Sequence, residues 1–122
     1  MLSPARGEVL VADGDLSIRS LLAAVMQRLG LEPAPVSDGE KALELLRSRD
    51  FHLAIVDLLL PAVPGAEVVA QLRQTKPEML PRTIIVSTRP VDAAGPLEGV
   101  GAILRKPFAL DELIDAARRC LG

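Results

Sequence analysis

Four short apolar runs each end at a residue able to do chemistry. Val9-Leu10-Val11-Ala12 stops at Asp13, with Asp15 two residues on, and Leu53-Ala54-Ile55-Val56 stops at Asp57. Thr83-Ile84-Ile85-Val86-Ser87 delivers Thr88 and Arg89, and Gly101-Ala102-Ile103-Leu104-Arg105 delivers Lys106. Carboxylates brought together repel one another and raise each other's pKa unless a cation joins them. Mg²⁺ is the natural neutraliser, because it takes oxygen ligands, keeps several waters and is held by one or two carboxylates plus phosphate. An ammonium and a hydroxyl beside it would contact phosphoryl oxygens. Together these groups form a site for phosphoryl transfer to a carboxylate, with Asp57 as the acceptor.

For that chemistry to occur, residues distant in sequence must meet, and the pattern of elements provides the means. The run ending at Asp57 is short, rich in β-branched residues and followed by Pro61, Pro64 and Gly65, the signature of a strand buried on both faces. Strands are expected at 8–12, 31–36, 53–57, 83–87 and 101–105. Pro33 and Pro35 confine the second to a sheet edge. Between them the spacing of Ile18, Leu21, Leu22, Val25, Met26 and Leu29 gives a first helix, capped by Asp15 or Ser17 and stopped at Gly30. A second helix opens at Ser37-Asp38-Gly39 and runs to about Arg49, packed through Ala42, Leu43, Leu45 and Leu46. A third covers about 66–75, and a last one about 110–121, capped by Asp111. Pro90, Gly95, Pro96 and Gly99 leave residues 90–100 short or irregular. Strands alternating with short helices give a parallel α/β sheet covered on both faces, and right-handed crossovers with an edge second strand suit the order 2-1-3-4-5. Strands 1, 3, 4 and 5 then bring Asp13, Asp15, Asp57, Thr88 and Lys106 to one rim.

Composition excludes several classes. At 122 residues the chain reads as one domain, residues 1–122, after a short leader at 1–7, with no linker to a second. A net charge of −2 and scattered basic residues argue against nucleic acid as the main partner, and two Phe with no Trp or Tyr leave no platform for stacking bases. No run approaches a membrane span, so a cytoplasmic location is expected. Cys120 is alone and reads as a packing residue. His52 has no second His or Cys beside which to ligate a metal.

These residues resemble the receiver domain of two-component response regulators over essentially the whole chain. The resemblance is carried by Val9-Leu10-Val11-Ala12-Asp13, Ile18-Arg19-Ser20-Leu21-Leu22, Ile55-Val56-Asp57-Leu58 with Leu60-Pro61 and Gly65, Ile84-Ile85-Val86-Ser87-Thr88, and Leu104-Arg105-Lys106-Pro107-Phe108. It implies a flavodoxin-like, doubly wound five-stranded sheet with helices on both faces. It also implies Asp57 as phosphoacceptor, Thr88 as the hydroxyl that follows the phosphoryl group, Lys106 as the site lysine, and a cis Lys106-Pro107 bond. Mg²⁺ would be held by Asp13, Asp57 and the Leu59 carbonyl, with no other cofactor. Partners would be a histidine kinase or phosphotransfer protein and a downstream protein docking on the face of the fourth helix, fifth strand and fifth helix. The chain would not be an enzyme beyond promoting its own phosphorylation and dephosphorylation.

Three departures stand beside the matches. Gly14 replaces the family's second paired acid and weakens the metal site, with Asp15 as a candidate substitute ligand. Arg89 stands where a small residue is expected after the hydroxyl, and either crowds the entrance or attracts an anionic partner and offsets missing metal charge. Ile103 replaces the expected switch aromatic. Two functions are compatible with this: a receiver phosphorylated on Asp57, or a pseudo-receiver acting as a phosphorylation-independent interaction module. A flavin-binding reading is weak, because the loop after the first strand is acidic where a flavin phosphate needs donors.

Overall fold

Alternating side chains decide which face of the sheet each strand residue serves. A computed structural model describes residues 7–92 and 94–122; apart from Gly7, the leader lies outside the described residues. Strands β1 (Glu8–Ala12), β2 (Glu32–Val36), β3 (Leu53–Asp57), β4 (Thr83–Ser87) and β5 (Ala102–Arg105) form one parallel sheet in the order β2-β1-β3-β4-β5, as expected. Every residue of β3 and β4 is buried, which is why both read as unbroken apolar runs. Val9, Val11, Ile55, Ile84 and Val86 face helices α1 (Leu16–Arg28) and α4 (Leu110–Leu121). Leu10, Val56 and Ile85 face α2 (Gly39–Ser48) and α3 (Gly65–Thr75). Each such aliphatic side chain contributes about 1.5–3 kcal/mol by burial. Cys120 packs in the first of these cores, where burial pushes its thiol pKa up.

The edge position of β2 explains its prolines. Glu32 N–H donates to the Gly7 carbonyl at 2.9 Å, so the intervening residues, Pro33 and Pro35, turn their nitrogens to the open edge where no donor is needed.

Local capping is partly as expected. Asp15 caps α1, its Oδ1 accepting from Ser17 N–H at 2.8 Å and Ile18 N–H at 3.2 Å, and Asp38 caps α2 through Lys41 N–H at 2.8 Å. Leu21 is exposed rather than packed. It sits 100° around α1 from buried Leu22, outside the stripe of Ile18, Val25, Met26 and Leu29. The last helix is not capped by Asp111. Asp111 is already its second residue, and Glu112 instead reaches back to accept from Ala109 N–H at 2.9 Å.

Between β4 and β5 the described residues form no α-helix. A 3₁₀ turn at Gly95–Leu97 stands there, with Gly95 and Gly99 at φ +63° and +91°. Buried Leu97 anchors it, and Arg73 of α3 donates to the Pro96 and Glu98 carbonyls at 3.1 and 2.7 Å. The irregular reading of 90–100 therefore holds, but a partner face that includes a fourth helix before the fifth strand must be redrawn. Two prolines and two left-handed glycines stop a helix in this short span. Among the described residues no helix is long and apolar enough to cross a membrane.

Candidate functional site

The ladder continues one residue past β1, β3 and β5 and so fixes the rim. Asp13 N–H donates to Val36 O at 3.2 Å, Leu58 N–H to Val86 O at 2.9 Å, and Lys106 N–H to Ser87 O at 2.7 Å. Asp13 is fully buried, and Asp57 is only 8 % exposed. In each, one carboxylate oxygen accepts from the backbone two residues on: Asp13 Oδ1 from Asp15 N–H at 2.9 Å, Asp57 Oδ1 from Leu59 N–H at 3.1 Å. Lys106 Nζ takes both remaining oxygens, at 2.7 Å from Asp13 Oδ2 and 3.2 Å from Asp57 Oδ2. Burial alone would lower the lysine's pKa, but the hydrogen bond and charge of Asp13, then those of Asp57, outweigh it and raise it above 10.5. Two carboxylates against one ammonium leave the group one charge negative.

The loop after Asp57 is held just as closely. Gly65 N–H donates to Leu58 O at 2.9 Å, and a Cβ on Gly65 would run into the Asp57 carbonyl oxygen. Pro61 O accepts from Gly39 N–H at 3.0 Å, tying the loop to the start of α2. Ala62 lies at φ +66°, with Val63 N–H bonded back to Pro61 O at 2.7 Å, the i to i+2 pattern of a γ-turn. The Lys106-Pro107 bond is cis.

Asp13, Asp57 and Lys106 are therefore brought together, while other expected residues are not. Asp15 commits Oδ1 to capping α1, and its carboxylate is not among the partners of Lys106. Thr88 is exposed beyond the end of β4. Ser87 is the buried hydroxyl instead, at 0 % exposure, its Oγ accepting from Arg89 N–H at 3.0 Å. Asp57 pairs with Val86, so Ser87 lies one residue beyond that partner on the adjacent strand. This residue was missed. The signal was available: Ser87 follows Val86 as Asp57 follows Val56 and Asp13 follows Ala12. With Ser87 in that position, Thr88 is the residue that follows the hydroxyl, and Arg89 is exposed one step further out. His52 sits at the opposite end of β3, and Ile103 packs half-buried against the core shared with Ile85.

The buried carboxylates of Asp13 and Asp57 are oxygen donors of the kind Mg²⁺ takes. Gly14 adds no ligand, and among the described residues no three His, Cys, Asp or Glu side chains converge on one point. A Cβ at Gly14 would stand 3.2 Å from Pro61 Cδ.

Comparison with known proteins bears on this geometry. The family model described as "Response regulator receiver domain" matches residues 9–118. The chain is 33 % identical over 119 residues to the DNA-binding transcriptional regulator NtrC of Escherichia coli strain K12, covering 96 % of this chain and 25 % of that protein. It is 33 % identical over 115 residues to the response regulator MprA of Mycolicibacterium vanbaalenii, covering 93 % and 49 %. The chain thus spans about a quarter to a half of the length of these curated relatives. Among solved structures it superposes with a TM-score of 0.84 and 26 % identity on the response regulator protein TrrA of Thermotoga maritima in complex with Mg²⁺-BeF, covering 93 % of this chain and 97 % of that one.

Proposed function

This chain belongs to the receiver-domain family of two-component response regulators, and we propose that its Asp57 accepts the phosphoryl group. The observation that carries the proposal is the pair of buried carboxylates bridged by Lys106 at the carboxyl ends of β1, β3 and β5. An Asp57 carboxylate oxygen forms the new O–P bond as the bond from phosphorus to the donor's leaving atom breaks. From an acyl phosphate, the leaving carboxylate keeps the electron pair. From phosphohistidine, the imidazole nitrogen keeps it and takes a proton from water. Lys106 passes from Asp57 Oδ2 to a phosphoryl oxygen while Asp13 retains it, so the ammonium never leaves its buried partner. The hydroxyl that follows the phosphoryl group is that of Ser87 rather than Thr88.

The bound metal would be Mg²⁺, as in the TrrA complex, held by Asp13, Asp57 and the Leu59 carbonyl. When bound it supplies positive charge against the oxygens of the transferred group. With Gly14 contributing no ligand, affinity is weak.

Receiver domains are signalling modules that interact with histidine kinases or phosphotransfer proteins and with effector domains. For this chain the donor is a protein of the first kind, and residues 1–122 act as one receiver domain in the cytoplasm. The output face is β5, α4 and the 3₁₀ turn at 95–97. Self-promoted phosphorylation and dephosphorylation are the only chemistry attributed to it.

Incubation with acetyl phosphate and Mg²⁺, followed by intact mass, tests this. A phosphate adduct that needs both Mg²⁺ and Asp57, with Asp57→Asn as the control, is expected. No adduct under conditions that label another receiver would leave a phosphorylation-independent interaction module.

A further inference from the structure

Three successive peptide planes carry the chain from the end of β1 into α1, and each is pinned. The Asp13 carbonyl lies beyond the last paired residue of β1 and accepts from the Arg19 guanidinium at 2.8 Å. In the next plane, Asp15 N–H donates to Asp13 Oδ1 at 2.9 Å. In the third, the Asp15 carbonyl accepts from Arg19 N–H at 2.9 Å. Arg19 therefore grips the turn on both sides of Gly14, which has no side chain of its own to hold it. It is half-buried and forms no ion pair with a described residue, so its charge is directed at a main-chain oxygen.

We propose that Arg19 is a positioning residue for Asp13: by fixing the outer two planes of the turn, it keeps the Asp13 carboxylate presented to Lys106 beside Asp57. The middle plane is the one that bonds the carboxylate, through Oδ1, and that bond sets where Oδ2 points. Oδ2 in turn meets Lys106 Nζ at 2.7 Å. If the outer planes swing, Asp15 N–H swings with them, and the carboxylate loses the rotation that offers Oδ2 to the ammonium. Gly14 gives the brace its purpose, since the residue between the two grips contributes no packing or side-chain bond of its own. The inference rests on the receiver reading and adds to it a residue outside the rim that acts through Asp13.

The test compares wild type with Arg19→Met and Arg19→Lys in the intact chain, each well below its melting temperature. Two nuclear magnetic resonance signals report the position of Asp13 without phosphorylation: the Asp15 amide proton, bonded to Oδ1, and the Lys106 ammonium, bonded to Oδ2. In Arg19→Met the Asp15 amide is expected to move upfield and lose protection from hydrogen exchange, and the Lys106 ammonium signal to broaden through exchange with water. Arg19→Lys keeps a donor for the Asp13 carbonyl and should bring both signals back toward wild type. Labelling of Asp57 by acetyl phosphate with Mg²⁺ should slow roughly ten- to hundredfold in Arg19→Met and recover in Arg19→Lys, because small misplacements of a site group cost that much. A variant that melts lower yet keeps both signals and its labelling rate makes Arg19 a structural tie alone and overturns the proposal. Slower labelling with both signals unchanged also overturns it, since Arg19 then acts by its charge and not through Asp13. Should Arg19→Met not fold, Arg19→Gln, neutral and shorter, takes its place. If wild type itself fails to label, the receiver reading fails separately, and the two signals still decide the brace.

Discussion

Lys106 Nζ lies closer to Asp13 Oδ2, at 2.7 Å, than to Asp57 Oδ2, at 3.2 Å. The lysine is therefore anchored on the fully buried acid and more loosely held by the one at the surface of the site. Its pKa in the folded chain is raised above the ordinary 10.5, despite the opposing effect of burial. A raised lysine pKa contributes stability that is complete below the unfolded value and is lost as pH climbs through the folded one. Lys106→Met is expected to cost roughly 3 kcal/mol at neutral pH, because it leaves buried Asp13 without its cation. Melting both proteins between pH 8 and 12 should show the gap steady to about pH 10 and narrowing beyond it. A gap that widened above pH 11 would show that the ion pairs are not its source.

Ser87 and Thr88 offer a choice between adjacent hydroxyls. Ser87→Ala should abolish the amide shifts that Mg²⁺ and beryllofluoride induce over residues 88–100. Thr88→Ala should leave them in place. The serine variant also loses the acceptor for Arg89 N–H, for about 1 kcal/mol of stability. If shifts vanish only in the threonine variant, the exposed hydroxyl is the one that moves.

That choice marks how far the chain could be read unaided. The apolar runs of β1, β3 and β4 announce themselves because both faces of the sheet are covered, and Pro33 with Pro35 gives away the edge. Asp13, Asp57 and Lys106 could be brought to one rim because each stands at the carboxyl end of a strand of one parallel sheet. A one-residue question at the end of β4 could not be settled by pattern, since Ser and Thr both suit a strand end. It took the fold, which buries Ser87 and leaves Thr88 exposed, to separate the two hydroxyls. Asp15 looked like a spare ligand because its use as a helix cap depends on where α1 begins. Ala62 gave no warning of its positive φ, which the closure of the loop onto Gly39 and Gly65 imposes.

The strain at Ala62 and the close approach at Gly65 predict opposite signs. Ala62→Gly removes a left-handed penalty of about 1–2 kcal/mol and adds unfolded-chain entropy worth about 0.4–1 kcal/mol, so a net gain of roughly 0.5 kcal/mol is expected. Gly65→Ala drives a Cβ into the Asp57 carbonyl and should cost about 1–3 kcal/mol. Urea unfolding of the two variants beside wild type checks both. A stabilised Gly65→Ala would mean that the loop can move away from the strand end.

The last prediction concerns Gly14, where a carboxylate is missing. Its backbone is not in the left-handed region, so an aspartate can adopt the native conformation, but its Cβ would stand 3.2 Å from Pro61 Cδ and the ring must give by a few tenths of an ångström. Gly14→Asp should therefore lower stability by about 1 kcal/mol without Mg²⁺. It should also tighten Mg²⁺ binding by about tenfold or more, because it adds a third carboxylate to Asp13 and Asp57. Calorimetric titration gives the affinity, and melting with and without Mg²⁺ shows whether bound metal restores the lost stability. Weak binding in wild type that becomes tight in the variant would show that the fold keeps the geometry of a metal site and that one side chain limits it. Equal affinity in both would place the limit with Lys106, whose ammonium already holds an oxygen of each acid, and Lys106→Met should then be the variant that binds Mg²⁺ more tightly.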